Sequence, residues 1–201
     1  MARIMSHNGA VSTRKEQAAA SRARFVNAAL ELFVAQGYEA TSISQVLAAT
    51  GMARGALYHH FPDGKKALFL AVVDVVDEAF HHGIEKILRT IDSPVEQISA
   101  AFDLLLRLAA DPAFARIILI EAATVVPGAW AEGSEFVMLR AALEQAIAAG
   151  EIRKVPLDAA ASTLYGAARR AADLVARSER PKRVAAECRE VLSLLLDGMR
   201  A

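Results

Sequence analysis

The chain has 201 residues, of which 54% are apolar and 23% are charged, and its formal net charge is zero. This composition excludes intrinsic disorder over most of the chain, because disorder needs low hydrophobicity and a high net charge. No apolar run approaches the roughly eighteen residues of a membrane-spanning helix, and the N-terminus lacks the apolar region of a signal peptide, so we expect a cytoplasmic protein without a membrane partner.

The charges are unevenly distributed along the chain. Residues 1–66 contain 8 Lys and Arg against 4 Asp and Glu, whereas residues 67–201 contain 15 against 19. A basic N-terminal part on an acidic remainder is typical of a protein whose N-terminal part binds a polyanion. Ala, Leu, Arg and Glu favour helix, and Gly (11) and Pro (6) are few, so the predicted fold class is all-α.

The N-terminal part predicts an arm followed by three helices. Residues 1–20 have no sustained apolar period and are expected to form a mobile arm. A helical period begins at residue 21. Ser42 and Gln45 have the spacing of a capping box, which opens a second helix, and a short third helix follows over residues 54–60.

The rest of the chain predicts six further helices. Each begins or ends at Pro, Gly or a capping residue and carries apolar residues at helical spacing. With the first three they make about nine helices and no convincing strand. We expect one domain over residues 21–66 and a second over residues 67–201. The six lie at about residues 65–91, 94–110, 112–125, 132–149, 157–177 and 181–197.

The second and third helices have the layout of a helix-turn-helix, in which the second helix lies in the DNA major groove and the first braces it. The outward positions of the third helix carry small or hydrogen-bonding side chains that suit a groove. The alternative is a plain three-helix core with a solvated third helix, and periodicity alone does not decide between them. Inward positions are Ile43, Val46, Leu47, Ala56, Leu57 and Phe61, and outward positions are Arg54, Gly55, Tyr58 and His59.

Residues 22–70 contain a series of short motifs, namely Ala28-Ala29-Leu30-Glu31-Leu32-Phe33, Gly37-Tyr38, Thr41-Ser42-Ile43, Gly51-Met52, Gly55-Ala56-Leu57-Tyr58-His59-His60-Phe61, Lys65 and Leu68. With these motifs the segment resembles the N-terminal domain of TetR-family transcriptional regulators. The resemblance implies a homodimer that binds a palindromic operator in double-stranded DNA and releases it when a small ligand enters the C-terminal domain. Beyond this segment only the helical layout resembles the family.

The resemblance also implies which residues contact DNA. Those at the start of the bracing helix touch phosphate or cross the backbone, those of the third helix read the groove, and a lysine at the head of the fourth helix anchors a phosphate. In this chain they are Thr41, Ser42, Ser44, Gln45, Arg54, Gly55, Tyr58, His59, Lys65 and Lys66.

Two departures from the family pattern affect this assignment. Ala53 occupies the position where the family usually has a Ser or Thr that caps the recognition helix. The loop before the fourth helix is one residue longer than the commonest spacing, so either Lys65 or Lys66 could make the phosphate contact.

Large apolar and aromatic residues of the second domain predict a ligand pocket, since the family's ligand enters a cavity among these helices. A small apolar or amphipathic ligand is expected. Glu121 follows an apolar run and is either a solvated residue or a pocket anchor. The candidate lining residues are Phe80, Ile84, Phe102, Leu106, Phe114, Ile117, Ile118, Glu121, Trp130, Phe136, Met138 and Tyr165.

The last two helices predict a dimer interface. One is rich in small residues and the other carries an apolar stripe, so two such helices from each subunit would form a four-helix bundle. The alternative is packing within the subunit only. The candidate interface residues are Leu164, Ala168, Ala171, Val184, Cys188, Val191, Leu192 and Leu195.

The remaining polar residues indicate neither catalysis nor metal binding. No phosphate-binding loop, nucleophile elbow or paired acid site is found, so we expect no enzyme and no cofactor. His81 and His82 are interpreted as part of a charged, solvated helix face rather than metal ligands. The lone cysteine, Cys188, lies at an apolar position and is interpreted as a small buried hydrophobe.

The sequence therefore favours a ligand-responsive DNA-binding regulator, most simply a repressor. An activator or an architectural DNA-binding protein with the same N-terminal domain is the alternative within regulators. A helical protein that binds a small molecule or metal, with a vestigial DNA-binding domain, is the alternative from another class.

Overall fold

The computed structural model describes residues 8–126 and 133–201. Within these ranges the chain forms nine helices and no strand, which confirms the predicted all-α class. The helices are α1 Asn8–Ala40, α2 Ile43–Thr50, α3 Arg54–His60, α4 Lys65–Thr90, α5 Pro94–Ala109, α6 over residues 112–125, α7 Ser134–Ala148, α8 Leu157–Ala176 and α9 Pro181–Asp197.

The structure differs from the predicted N-terminal arm. α1 begins at Asn8, so residues 8–20 of the predicted arm are helical, while residues 1–7 of that arm lie outside the described residues. Residues 14–20 are exposed and carry Ala, Arg, Lys and Glu, which favour helix without an apolar face to reveal it in the sequence. Near its other end α1 is broken at Gly37, whose φ of 85° lies in the left-handed region that glycine adopts readily.

The internal contacts divide the chain between Val72 and Val73, within α4. The first unit is built around an aromatic core. Phe25 meets Phe61 edge to face at 6.4 Å between ring centroids, and Phe33 meets Phe69 at 5.4 Å. These rings join α1, α4 and the end of α3, so the short helices α2 and α3 are held on a rigid base.

The second unit has its core among α5, α7, α8 and α9. The loop residue Glu151 holds the start of α5, because its Oε2 accepts hydrogen bonds from Ser93 Oγ at 2.8 Å and Val95 N at 3.0 Å. α4 approaches α5 closely at Gly83, where an added Cβ would lie 2.4 Å from a methyl carbon of Leu104. Glycine at this position therefore leaves room for the Leu104 side chain against α4.

α6 is continuous but changes its winding. It begins as Pro112–Phe114, passes through a π-helical stretch Ala115–Glu121, and ends as Ala122–Val125. Asp111 opens it, since Oδ1 accepts from two backbone N–H groups at 2.9 and 3.0 Å. The sequence predicts this helix but not its π-helical centre.

Candidate nucleic-acid interface and cavity

The start of α2 is fixed by the predicted capping box. The backbone N–H of Ser42 donates to Gln45 Oε1 at 2.7 Å, and the backbone N–H of Gln45 donates to Ser42 Oγ at 3.2 Å. α2 ends at Gly51, whose N–H donates to Leu47 O at 2.9 Å. Ser42, Ser44 and Gln45 are exposed, which leaves polar groups at this end of α2 open to a partner.

α3 presents a polar face opposite a buried one. Leu57 is fully buried, whereas the outward residues are exposed, including 42% of Tyr58. A Cβ added at Gly55 would have no atom within 4 Å, so the backbone of α3 is bare on this side. The exposed outward residues are Arg54, Gly55, Tyr58 and His59, the four predicted from the sequence.

Ala53 stands at the N-cap of α3 and forms no side-chain cap. A Ser or Thr at an N-cap typically stabilises a helix by ~1 kcal/mol through such a bond. This seven-residue helix therefore depends on packing of Leu57 and Phe61, both buried, more than on local capping.

Thr41 requires a correction. It was expected to touch phosphate, but it is 2% exposed, and its hydroxyl donates to Gly37 O at 2.8 Å. Gln36 Nε2 donates to the same hydroxyl at 3.1 Å. The side chain therefore closes the bend at the end of α1 and is a structural residue.

The two lysines at the head of α4 differ in their surroundings. Lys65 is half-buried, its Nζ donates to Tyr38 O at 2.9 Å, and it lies 4.1 Å from the centroid of the Tyr38 ring. Burial, with a smaller effect of Glu39, raises the pKa of Tyr38. Lys66 is exposed. Lys65 thus fastens α4 to α1, while Lys66 has its ammonium group in solvent.

The second unit contains a cavity of about 290 Å³. Its wall is largely apolar and comes from α4, α5, α6, α7 and α8. Seven residues predicted for the pocket lie in this wall, namely Phe80, Ile84, Phe102, Phe114, Ile118, Met138 and Tyr165.

Four other predicted pocket residues do not line the cavity. Leu106 and Ile117 are fully buried in the helix packing. Phe136 packs edge to face on Tyr165 at 5.6 Å. Glu121 is paired with Arg116, Oε1 to Nη2 at 2.9 Å, so it is not a pocket anchor. The remaining predicted pocket residue, Trp130, lies outside the described residues.

The polar residues of the wall are mostly ones the sequence analysis missed. Asp77 had a detectable signal, because it lies three residues before Phe80 and seven before Ile84 and so shares their helix face. Distant residues brought together by packing give no such signal. The missed polar lining residues are Asp77, Gln97, Glu135, Gln145 and Arg169.

The predicted dimer residues are separated by the structure into two groups. Four face the core of their own subunit, which corrects their assignment to an interface: Leu164, Ala168, Ala171 and Leu192, each at most 7% exposed. Val184 and Cys188 are partly buried against the same core. Val191 and Leu195 are exposed, as are Leu174 and Leu194, which the interface prediction omitted.

Cys188 and His81 each lie near a carboxylate residue, Glu187 and Asp77 respectively. Burial, with a smaller effect of Glu187, raises the pKa of the Cys188 thiol, which disfavours a reactive thiolate. His81 Nδ1 lies 3.1 Å from Asp77 Oδ2. In the part of the chain that the structure describes, no three His, Cys, Asp or Glu side chains are grouped as a metal would require.

No helix in the described ranges is long and apolar enough to span a membrane.

Two family descriptions match the chain. Bacterial regulatory proteins of the tetR family match residues 25–72, and the Tetracyclin repressor-like C-terminal domain matches residues 95–199. The first coincides with the unit that presents α2 and α3, and the second with most of the unit that contains the cavity.

Individual relatives agree with these matches. The chain is 36% identical over 78 residues to the transcriptional regulator YxaF and 35% identical over 80 residues to the transcriptional regulator LmrA, both of Bacillus subtilis. These stretches cover 39% and 40% of this chain, and only 41% and 43% of the relatives.

Solved structures extend the likeness to nearly the whole chain. A TetR-family transcriptional regulator from Pectobacterium atrosepticum matches with a TM-score of 0.75 and 28% identity, over 92% of this chain and 97% of that one. Since both family descriptions and this structure agree with the helix-turn-helix and the cavity-bearing helical unit, the chain belongs to the TetR family of transcriptional regulators.

Proposed function

We propose that this regulator is a ligand-released repressor that binds a palindromic operator as a homodimer. The observation that carries the proposal is the exposed polar face of α3, next to a capped α2, in the same chain as a largely apolar cavity. The name of one relative, the transcriptional repressor AcnR of Corynebacterium glutamicum, supports the repressor role.

Two kinds of contact would hold the DNA. Ser42, Ser44 and Gln45 offer polar groups to the phosphate backbone at the start of α2, and Lys66 adds an exposed positive charge at the head of α4. On α3 the side chains of Arg54, Tyr58 and His59 reach outward to base edges, while the bare backbone at Gly55 lets the helix approach the groove.

A dimer would cover the exposed apolar residues of α8 and α9. Val191 is 57% exposed and Leu194 66%, and Leu174 and Leu195 lie in the same pair of helices. Large exposed apolar side chains of this kind mark interaction surfaces when they are contiguous. Pairing two copies through α8 and α9 would bury them in a four-helix bundle and would place two copies of α3 on inverted half-sites.

Release by a ligand would use α4. This single helix begins at Lys65, beside the DNA-binding elements in the sequence, and carries Phe80 and Ile84 in the cavity wall. A ligand that prefers one position of α4 shifts the protein toward that position, by no more than its differential affinity for the two states. Ten-fold weaker operator binding needs only ~1.4 kcal/mol of preference.

Selection from random duplexes tests the proposal without knowledge of the operator. The full-length protein is incubated with a library of random double-stranded DNA, and bound duplexes are recovered and sequenced over several rounds. We expect an inverted repeat whose half-site centres lie about one helical turn apart or more, near ~10 bp or above. The same selection with the Tyr58→Ala variant should enrich no such motif. The variant should keep the helicity and the melting temperature of the wild-type protein. A wild-type protein that enriches no motif would contradict the proposal.

A further inference from the structure

Asp77 places a carboxyl group in the wall of the apolar cavity. The residue is only 9% exposed. Its Oδ2 lies 3.1 Å from His81 Nδ1, but Oδ1 is buried and has no hydrogen-bond partner among the described residues. A buried carboxylate oxygen without a donor costs free energy, so this atom is poised to accept a hydrogen bond from a molecule in the cavity.

A second carboxyl group acts on Asp77 from another helix. Glu135 of α7 also lines the cavity. Burial raises the pKa of Asp77 to about 6, while His81 lowers it and Glu135 and Asp74 raise it. At pH 7 the carboxyl group is therefore mainly ionised and is repelled by Glu135, and a positive charge in the cavity would relieve both the repulsion and the unmet hydrogen bond.

We propose that the ligand of this cavity is an apolar molecule with one protonated nitrogen, which donates to Asp77 Oδ1 and is further attracted by Glu135. The proposal rests on the proposed function, because it names the chemical class of the ligand that would release the operator. The apolar wall, with Phe80, Phe102 and Phe114, would hold the body of the molecule.

Arg169 contributes a positive side chain to the cavity wall, so an anionic ligand is the alternative to a cationic one. It is exposed, and the charged groups that act on the Asp77 carboxyl are His81, Glu135 and Asp74, so Arg169 is not its counter-ion. An anionic ligand would use Arg169 and leave the buried Asp77 oxygen without a donor. An uncharged ligand would leave the repulsion of Glu135 in place.

Three probes of matched shape distinguish these ligand classes: phenylbutylamine, phenylbutanol and phenylbutanoate, measured by calorimetry at pH 7. We expect the wild-type protein to bind the amine most tightly, by roughly ten-fold or more over the alcohol, the value of one charge-assisted hydrogen bond. Asp77→Asn should remove that preference, and Glu135→Gln should reduce it.

The matched control is Glu85→Gln, which removes one negative charge from the same helix at an exposed position outside the cavity wall. It should keep the preference for the amine. Circular dichroism confirms that each variant is folded. Equal binding of amine and alcohol, tighter binding of the carboxylate, a preference that survives Asp77→Asn, or no binding of the amine would each overturn the proposal.

Operator binding separates this proposal from the proposed function. If the amine binds through Asp77 but does not weaken the selected duplex, the ligand class stands and ligand release fails. If the duplex binds and the amine shows no preference, the regulator stands and the ligand class is wrong.

Discussion

Arg116 and Glu121 form an ion pair along the π-helical stretch of α6, with Nη2 2.9 Å from Oε1. Residues five apart lie about 140° apart around an α-helix, but they are one turn apart in a π-helix. The pair therefore belongs to the π winding and would separate in a regular α-helix. Ile118, within the same stretch, lines the cavity, so the winding also positions part of the wall.

Removing Glu121 should destabilise the second unit. Its side chain is 13% exposed, and Arg116 would be left with a half-buried charge and no ion-pair partner among the described residues. We expect Glu121→Ala to lower the free energy of unfolding by ~1–3 kcal/mol in a urea melt. Glu144→Ala is the control, since it breaks the solvent-exposed pair with Arg140 and should change stability far less. Equal effects of the two variants would show that the Arg116–Glu121 pair contributes no more than an exposed pair.

Gly55→Ala should separate DNA binding from stability. The added methyl group meets no atom within 4 Å, and alanine favours helix over glycine by roughly 0.5–1 kcal/mol, so the melting temperature should stay the same or rise. On the DNA side the methyl group would hold the backbone of α3 away from the groove. Affinity for the selected duplex should fall about ten-fold, ~1.4 kcal/mol, in fluorescence anisotropy. Undiminished affinity would place Gly55 outside the interface.

Asp77→Asn should stabilise the free protein in a pH-dependent way. Because the folded pKa of about 6 is above the unfolded value of 3.8, the folded state binds this proton more tightly and loses stability as pH rises between these values. The variant should therefore gain ~1–3 kcal/mol at pH 7 and almost nothing near pH 4. Urea melts at both pH values measure the gain, and Glu85→Gln is the control. A gain that is the same at both pH values would contradict the assignment.

Two leucines of α9, two positions apart, should behave differently when replaced by glutamate. Leu194 is 66% exposed and Leu192 is 3% exposed. We expect Leu194→Glu to give folded monomers and Leu192→Glu to unfold the protein, because a charge would be buried in the subunit core. Light scattering at micromolar concentration and circular dichroism measure the two outcomes. A wild-type monomer, or a dimer that survives Leu194→Glu, would refute the proposed interface.

Local chemistry was readable from the sequence, and long-range packing was not. Ser42 and Gln45 cap α2 as predicted because capping depends on residues three positions apart. The apolar residues of α9 cover more than one stripe, so the sequence did not show that Leu192 faces inward and Leu194 outward. The π winding of α6 also left no mark, because its apolar run suits either winding.

In the candidate sites, too, local patterns were predictable from the sequence and contacts between distant segments were not. The outward residues of α3 follow from helical spacing, and seven pocket residues follow from apolar character within the middle helices. Glu135 enters the wall only because the fold brings α7 to the same cavity as α4, a relationship between distant segments. Thr41 was misassigned because a hydroxyl at a helix start can serve a phosphate or its own backbone, and only the fold shows which.

The salt dependence of duplex binding tests most directly whether the face formed by α2, α3 and the head of α4 binds DNA. Affinity for the selected duplex is measured by anisotropy at several salt concentrations for the wild type, Lys66→Ala and Lys154→Ala, the last being a matched loss of one exposed lysine in the second unit. We predict that Lys66→Ala makes the slope of log affinity against log salt shallower by ~0.9 per subunit, while Lys154→Ala leaves it unchanged. A wild-type affinity independent of salt, or equal slopes for all three proteins, would contradict this account.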